Sequence, residues 1–299
     1  MLEKLQKVLG EAKVLVNEPM ASHTTFRIGG PADYFVMPET VEEVAAVLKL
    51  CKEEEMPYFI LGNGSNLLVG DKGFRGVVIQ LYKNFDELQI EGTTVTAKSG
   101  AMLIRVAKES GKAGLTGLEF ASGIPGTIGG AMVMNAGAYG GEMKDVLVEV
   151  KVLDEHGEEK VLSLEELDLS YRHSCILENN YIVVEATMDL QMGMEDLIRE
   201  KMAKLRDQRV EKQPLEFPSA GSTFKRPEGY FAAKLIDDCN LRGEKIGGAM
   251  VSEKHCGFII NYDNASYEDV INLINHVKKV VCEKTNVTLC EEVKILKNN

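Results

Sequence analysis

The sequence predicts an α+β fold whose chain divides near residues 206–214. Two observations carry this. Up to residue 190, short apolar runs of strand length meet across turn residues, with two helical patterns between them. A long charged helix then stops before Pro214, and the irregular segment PLEFPSAGSTFKRPEGY leads into a compact mixture of strands and one capped helix.

Each element has its own signal. Thr40 followed by Glu43 reads as a capping box, and Val44, Val47, Leu48 and Cys51 share one face, so the spacing predicts a helix over 41–55. Residues 58–61 form a short apolar strand that runs into GNGSNLLV at 62–69. Strands are predicted at 77–81, 88–90 and 95–97, the last two joined through Gly92 and Thr93. Leu103, Ile104, Val106 and Ala107 mark a helix closed by Gly111. Strands at 146–153 and 159–162 flank His156 and Gly157, and 181–190 is a further strand. Residues 194–212 form a charged amphipathic helix. Beyond it, 250–252 and 257–261 are strands. Ser266 with Asp269 caps a helix carrying Val270, Leu273, Ile274, Val277 and Val281, and a final strand covers 287–296.

At 299 residues the chain is long enough for one large domain or two to three modest ones. A net charge of −12 argues against a partner nucleic acid held by a broad basic surface. Over 211–256 seven Lys/Arg balance seven Asp/Glu, so this neutral segment of an acidic chain is a better place for an anionic ligand. The six cysteines form no CxxC pair, and the N-terminal MLEKLQKVLGEAKVLV lacks the apolar core of a signal peptide, which together indicate reduced thiols in a cytoplasm. The five histidines make no cluster at ligand spacing, so no metal site is expected. Nothing spans a membrane.

Several stretches carry candidate chemistry. No charge falls between Glu119 and Glu142, and seven glycines lie in GIPGTIGGAMVMNAGAYGG at 123–141. Glycine loses more backbone entropy on folding than any other residue, so this density requires either a ligand at close range or a tightly folded turn region; the stretch alone fits both equally. GNGSNLL at 62–68 follows a strand and offers consecutive backbone N–H groups to an anion, although a plain turn explains it nearly as well. It is neither a Rossmann nor a Walker loop. With TFRIGG at 25–30 the two loops would suit a dinucleotide. Further along, SYRHS, AGSTFK and CEEVKIL supply Arg172, Ser222 and Glu292. Arg172 suits a carboxylate, and Ser222 lies in an irregular loop without a hydrolase elbow. Taken singly, each is better explained as a surface or turn residue.

With these residues in view, the chain resembles the UDP-N-acetylenolpyruvoylglucosamine reductase family, collinearly from about residue 17 to 296. HTTFRIGGPADYFV, LGNGSNLLV, GLEFASGIPGTIGGAMVMNAGAYGGE, LSYRHS, QPLEFPSAGSTFKRP, AAKLIDDCNLRGEKIGGAMVSEKHCGFIIN and EEVKIL carry the match. GEKIGGAMVSEKH is typical of the shorter branch. Arg226 departs from the pattern, since Asn usually follows the lysine.

The resemblance implies a two-part FAD-binding region of the vanillyl-alcohol-oxidase/p-cresol-methylhydroxylase type, at 1–80 and 81–208. A smaller α+β substrate-binding domain follows at 209–299, whose last strand could return to the FAD region. It implies FAD contacts at Gly62, Asn63, Gly64, Ser65, Asn66 and Leu67 in the first loop. In the second it implies Gly123, Ile124, Pro125, Gly126, Gly129, Gly130, Asn135, Gly137 and Ala138. No histidine lies in FRIGG or the two main loops, so the FAD is expected to be non-covalent, with His23 the nearest exception. NADPH and the substrate, UDP-N-acetylglucosamine enolpyruvate, would use one cleft in turn. Arg172, Ser222 and Glu292 would be catalytic, with Tyr171 and Lys225 contacting substrate. A flavin-dependent oxidase of the same cofactor fold, or a sugar-nucleotide sensor without activity, are the competing readings.

Overall fold

Leu5 and Leu9, about one helical turn apart, bury one face of the first helix, α1 (Leu2–Leu9). The structure, a computed structural model, describes residues 1–297. Strands β1 (Val14–Pro19) and β2 (Pro31–Val36) precede α2 (Val41–Glu53). Thr40 caps α2 by accepting the Glu43 N–H at 3.2 Å, but the Glu43 carboxylate takes the N–H of Glu39, at 2.7 Å. The expected capping box therefore closes one residue early. Lys13 holds it there, with its ammonium 2.7 Å from Glu43 and 2.8 Å from Glu39.

Next come β3 (Tyr58–Leu61), β4 (Leu67–Val69), β5 (Phe74–Gln80), β6 (Leu88–Glu91) and β7 (Thr94–Lys98), the last two joined through Gly92 at φ +62°. Helix α3 (Leu103–Lys112) outlasts its expected glycine stop. Gly111 lies within it, where a Cβ would press on Ile198 and Met202 at 3.1 Å, and the chain turns instead at Gly114, φ +74°.

After β8 (Leu115–Thr116) the chain forms α4 (Ile128–Val133), then β9 (Gly137–Ala138), β10 (Gly141–Glu142), β11 (Leu147–Leu153), β12 (Glu159–Ser163), β13 (Ile182–Asp189) and β14 (Gln191–Met192). Helix α5 (Glu195–Lys212) buries Ile198 with Met202 beside it, so its apolar face is a narrow stripe. Helix α6 (Ala232–Asp238), β15 (Lys245–Ile246), β16 (Ala249–Val251), β17 (Ile259–Asn261), α7 (Tyr267–Thr285) and β18 (Lys294–Leu296) complete the order. The Ser266–Asp269 box at the start of α7 forms reciprocally. The strand expected over 287–296 shrinks to β18. Residues 290–292 spend their backbone on the AGSTFK segment, and only 294–296 pair in parallel with β4.

The backbone folds as two compact units that are not contiguous segments. The first comprises Met1–Val16, Tyr34–Asn63 and Gly76–Arg209; the second comprises Asn17–Asp33, Gly64–Arg75 and the chain from Val210 onward. In the first unit, the antiparallel sheet β12-β11-β13-β7-β6 buries Val95, Val150, Ala186 and Met188 with Leu103, Val106, Ile128 and Met132 of α3 and α4. A second core there joins Leu5, Leu9, Val44, Val47, Leu48, Val77 and Ile79. In the second unit, Ala249, Val251 and Ile259 of the sheet β15-β16-β17 pack with Leu235, Ile236, Val270, Leu273 and Val277 of α6 and α7. Burial of such side chains is worth about 1.5–3 kcal/mol each.

Candidate functional site

Beyond Leu61, residues 62–66 have no regular structure. Among the described residues, none of the backbone N–H groups of Gly62, Asn63, Gly64, Ser65 and Asn66 finds a protein acceptor. Such groups are nearly always satisfied, and a consecutive set suits an anion such as a diphosphate. The rest of the segment is committed to the protein. The Asn63 amide donates to the Pro125 carbonyl at 2.6 Å, and the Asn66 amide to the Glu292 carbonyl at 3.2 Å. A Cβ at Gly62 would sit 2.5 Å from Thr127 Oγ1, and one at Gly64, φ +62°, would run into the His23 carbonyl oxygen. Leu67 is buried at the start of β4.

The uncharged stretch 123–141 is not one loop. Thr127 caps α4, its hydroxyl accepting the Gly130 N–H at 3.4 Å. A threonine before an apolar turn is a readable cap signal that the sequence analysis passed over. The N–H groups of Ile128 and Gly129 donate at 2.8 Å to the carbonyls of Ala101 and Ser99. A Cβ at Gly129 would lie 3.0 Å from Ser99 Cβ. The N–H groups of Gly126 and Thr127, by contrast, meet no acceptor among the described residues.

Asn135, buried at φ +42°, donates its amide to Glu142 Oε2 at 2.7 Å and to the Ser170 carbonyl at 3.3 Å, and accepts the Lys144 N–H at 3.0 Å. Its amide therefore has no donor left for a ligand. At Gly137 a Cβ would lie 2.8 Å from Glu142 Cβ. Of the residues expected as cofactor contacts, Asn135 is fastened within the protein, and Gly129 and Gly137 are closely packed on one side. Ile124, Pro125, Gly126 and Ala138 remain partly exposed, and Gly130 is exposed with open space before its Cα.

Ser170 and His173 pair across a tight turn that holds Arg172 at φ +56°. The Ser174 hydroxyl donates to the Val133 carbonyl at 2.7 Å and pins this turn to the end of α4. Arg172 reaches the Gly137 carbonyl at 3.3 Å, and its guanidinium lies 5.2 Å from the Tyr171 ring. A left-handed arginine is uncommon, and such conformations concentrate at functional sites. The first unit therefore joins Arg172 and Tyr171 to the 123–141 stretch.

In the second unit AGSTFK pairs with the segment before β18. The Glu292 N–H donates to the Thr223 carbonyl at 2.8 Å, the Lys225 N–H donates to the Cys290 carbonyl at 2.8 Å, and the Thr223 hydroxyl accepts the Ile259 N–H at 3.0 Å. Ser222, half-buried after Gly221 at φ +76°, immediately precedes this seam, and Glu292 lies within it. Burial alone would push the Glu291 carboxyl up, but Lys278 at 2.7 Å leaves it below the ordinary range. Lys225 is half-buried on the same segment, and Arg226 is exposed with its guanidinium 4.8 Å from the Phe231 ring.

His23 Nε2 lies 2.8 Å from Glu18 Oε1. Among the described residues no group of three or more His, Cys, Asp or Glu is placed to hold a metal ion, and no helix is long and apolar enough to cross a membrane.

A run of unpaired N–H groups after a strand and a glycine-rich uncharged companion stretch fit a dinucleotide, and the match to a family model gives the class, an FAD-binding protein. A model described as FAD binding domain matches residues 32–163, and one described as UDP-N-acetylenolpyruvoylglucosamine reductase, C-terminal domain matches 213–296. Curated proteins named UDP-N-acetylenolpyruvoylglucosamine reductase are 55% identical in Alkaliphilus metalliredigens, over 97% of this chain and 95% of that protein, and 52% identical in Caldanaerobacter subterraneus, over 99% and 98%. The crystal structure of UDP-N-acetylenolpyruvylglucosamine reductase (MurB) from Thermus caldophilus superposes with a TM-score of 0.81 at 36% identity, covering 95% of this chain and 98% of that one. The chain belongs to the UDP-N-acetylenolpyruvoylglucosamine reductase family.

Proposed function

We infer that this chain catalyses the NADPH-dependent, FAD-mediated reduction of UDP-N-acetylglucosamine enolpyruvate to UDP-N-acetylmuramate, a step of peptidoglycan precursor synthesis. The observation that supports the chemistry is the backbone seam of the second unit, which pairs the segment of Ser222 with that of Glu292 in a chain of this family. The unpaired N–H groups of 62–66 and of Gly126 and Thr127 fit an anionic dinucleotide, and these residues, with Gly123, Ile124 and Pro125, would hold the FAD. Bound FAD supplies the two-electron relay between NADPH and the sugar nucleotide.

The chain's own residues handle charge and protons. As the vinyl carbon of the substrate is reduced, negative charge collects on the neighbouring carbon and its carboxylate. Arg172 offers a fixed positive fork for that carboxylate, held in place by its left-handed turn. Ser222 Oγ–H gives the proton that quenches the carbanion, a weak acid that suffices opposite a strong base within hydrogen-bond reach. Glu292 is assigned to positioning the substrate or to acting as a protonated donor. Tyr171 and Lys225 contact carboxylate or diphosphate. Six free thiols support a cytoplasmic setting.

Single-turnover absorbance tests this assignment. NADPH should bleach the flavin of Ser222→Ala at nearly the wild-type rate, whereas recovery on adding the enolpyruvyl sugar nucleotide should slow by about 10²–10⁴-fold. Equal loss in both phases would remove Ser222 from its role, and recovery with air alone would favour an oxidase.

A further inference from the structure

Helix α5 carries arginines with different fates. Arg199 reaches Asp196, and Arg206 reaches Asp207 at 2.9 Å. Arg209 pairs with no carboxylate among the described residues, although it is partly buried. Its stem lies on the glycine-rich stretch: a Cβ at Gly123 would sit 3.1 Å from Arg209 Cδ, 3.5 Å from Nη1 and 3.9 Å from Nε. Gly123 is therefore glycine partly to admit this guanidinium. Burial pulls the arginine below its ordinary pKa, and the Tyr139 hydroxyl is the group that opposes this. Three and four residues beyond Gly123, the N–H groups of Gly126 and Thr127 also lack acceptors among the described residues. A desolvated cation and unpaired N–H donors share one stretch of chain, and a guanidinium has no acceptor with which to satisfy them.

We propose that Arg209 is an anion-binding side chain of the flavin site, contacting either the diphosphate of FAD or the electron-rich N1–C2=O edge of its ring. The proposal rests on the assignment of 123–127 to the cofactor. Both contacts have the same chemistry, a planar cation fork facing an anionic or partly anionic oxygen edge. Arg209→Met suits the test because it keeps an unbranched stem against Gly123 and removes the charge.

The test uses apoprotein and flavin fluorescence, reading the dissociation constants of FAD and riboflavin and the midpoint potential of the reconstituted enzyme. Arg209→Met is expected to bind FAD about 10- to 100-fold more weakly, the loss usual for a charge-assisted hydrogen bond. Unchanged riboflavin binding assigns the contact to the diphosphate. Riboflavin weakened in parallel, with a lowered midpoint potential, assigns it to the ring. Arg209→Lys, which keeps a point charge without the fork, should recover part of the affinity and serves if the Met variant fails to fold. Gly130→Asp, at an exposed position with room for a side chain, probes the stretch independently. If Gly130→Asp loses FAD while both Arg209 variants bind FAD and riboflavin as wild type at an unchanged potential, the proposal is overturned and the loop assignment stands. If none of the three loses FAD, the loop assignment falls, and the proposal with it.

Discussion

Single residues in this chain do chemistry or hold geometry, and the hydrogen bonds tell which. Asn135 and Arg172 both adopt positive φ. Asn135 spends its side chain on Glu142, Ser170 and Lys144, so its strain is repaid inside the fold. Arg172 keeps its fork beside a backbone carbonyl and an aromatic ring. Asp154 is a structural case with a measurable consequence. It accepts N–H groups from His156 at 2.8 Å and Glu158 at 3.1 Å and sits 3.0 Å from Lys160. The Lys160 contact first, and the two N–H groups after it, hold its carboxyl down to about 2, from an ordinary 3.8. A folded-state value below the unfolded one stabilises the fold above the unfolded pKa, and that stability is lost as pH falls through the folded pKa. Asp154→Asn should therefore be less stable than wild type at neutral pH, with the gap closing between pH 3.8 and about 2 in urea unfolding. A gap that stays constant with pH would contradict this.

At the scale of elements, glycine position separates turns from close approaches. Gly92 and Gly64 share φ +62°, but nothing lies within 4 Å of a Cβ at Gly92, whereas the His23 backbone blocks one at Gly64. Gly92→Ala should cost about 1–2 kcal/mol, the left-handed penalty alone. Gly64→Ala should cost distinctly more and should weaken FAD retention by shifting the 62–66 backbone. Matched melting curves and flavin release on gel filtration check both, and equal costs would contradict the steric argument. Hairpins β6–β7 and β11–β12 and the capped helix α7 were legible because each is specified by local residues: Gly92, Gly157, and the Ser266–Asp269 pair. Helix α4 was hidden because GIPGTIGGAMV is poor in helix formers, and its first N–H groups depend on the carbonyls of Ser99 and Ala101, distant in sequence. The stop of α3 was misplaced because Gly111 answers to Ile198 and Met202, and local spacing contains no trace of them.

For the whole molecule, thiol chemistry reports how the chain is packed. Cys51, Cys239 and Cys256 are buried, Cys175 is intermediate, and Cys282 and Cys290 are exposed. Burial pushes Cys51 up to about 12 and, as the largest cause, Cys256 up to about 11. Because the thiolate is the reactive form, an aromatic disulfide reagent should modify Cys282 and Cys290 rapidly in the native protein, Cys175 slowly, and the other three on unfolding. Fast loss of Cys51 or Cys256 without loss of structure, read by peptide mass mapping, would contradict the packing.

By itself the sequence determined the family, the α+β class, most strands, and the segments in which Arg172, Ser222 and Glu292 sit, because motifs and periodicity are properties of neighbouring residues. Tertiary structure alone decided that 17–33 and 64–75 fold with the C-terminal part, and that residues 223–225 pair with 290–292. It also decided which glycines stand against a close neighbour and which do not. Those outcomes depend on backbone carbonyls and side chains brought together from distant parts of the chain, and a linear pattern carries no record of them.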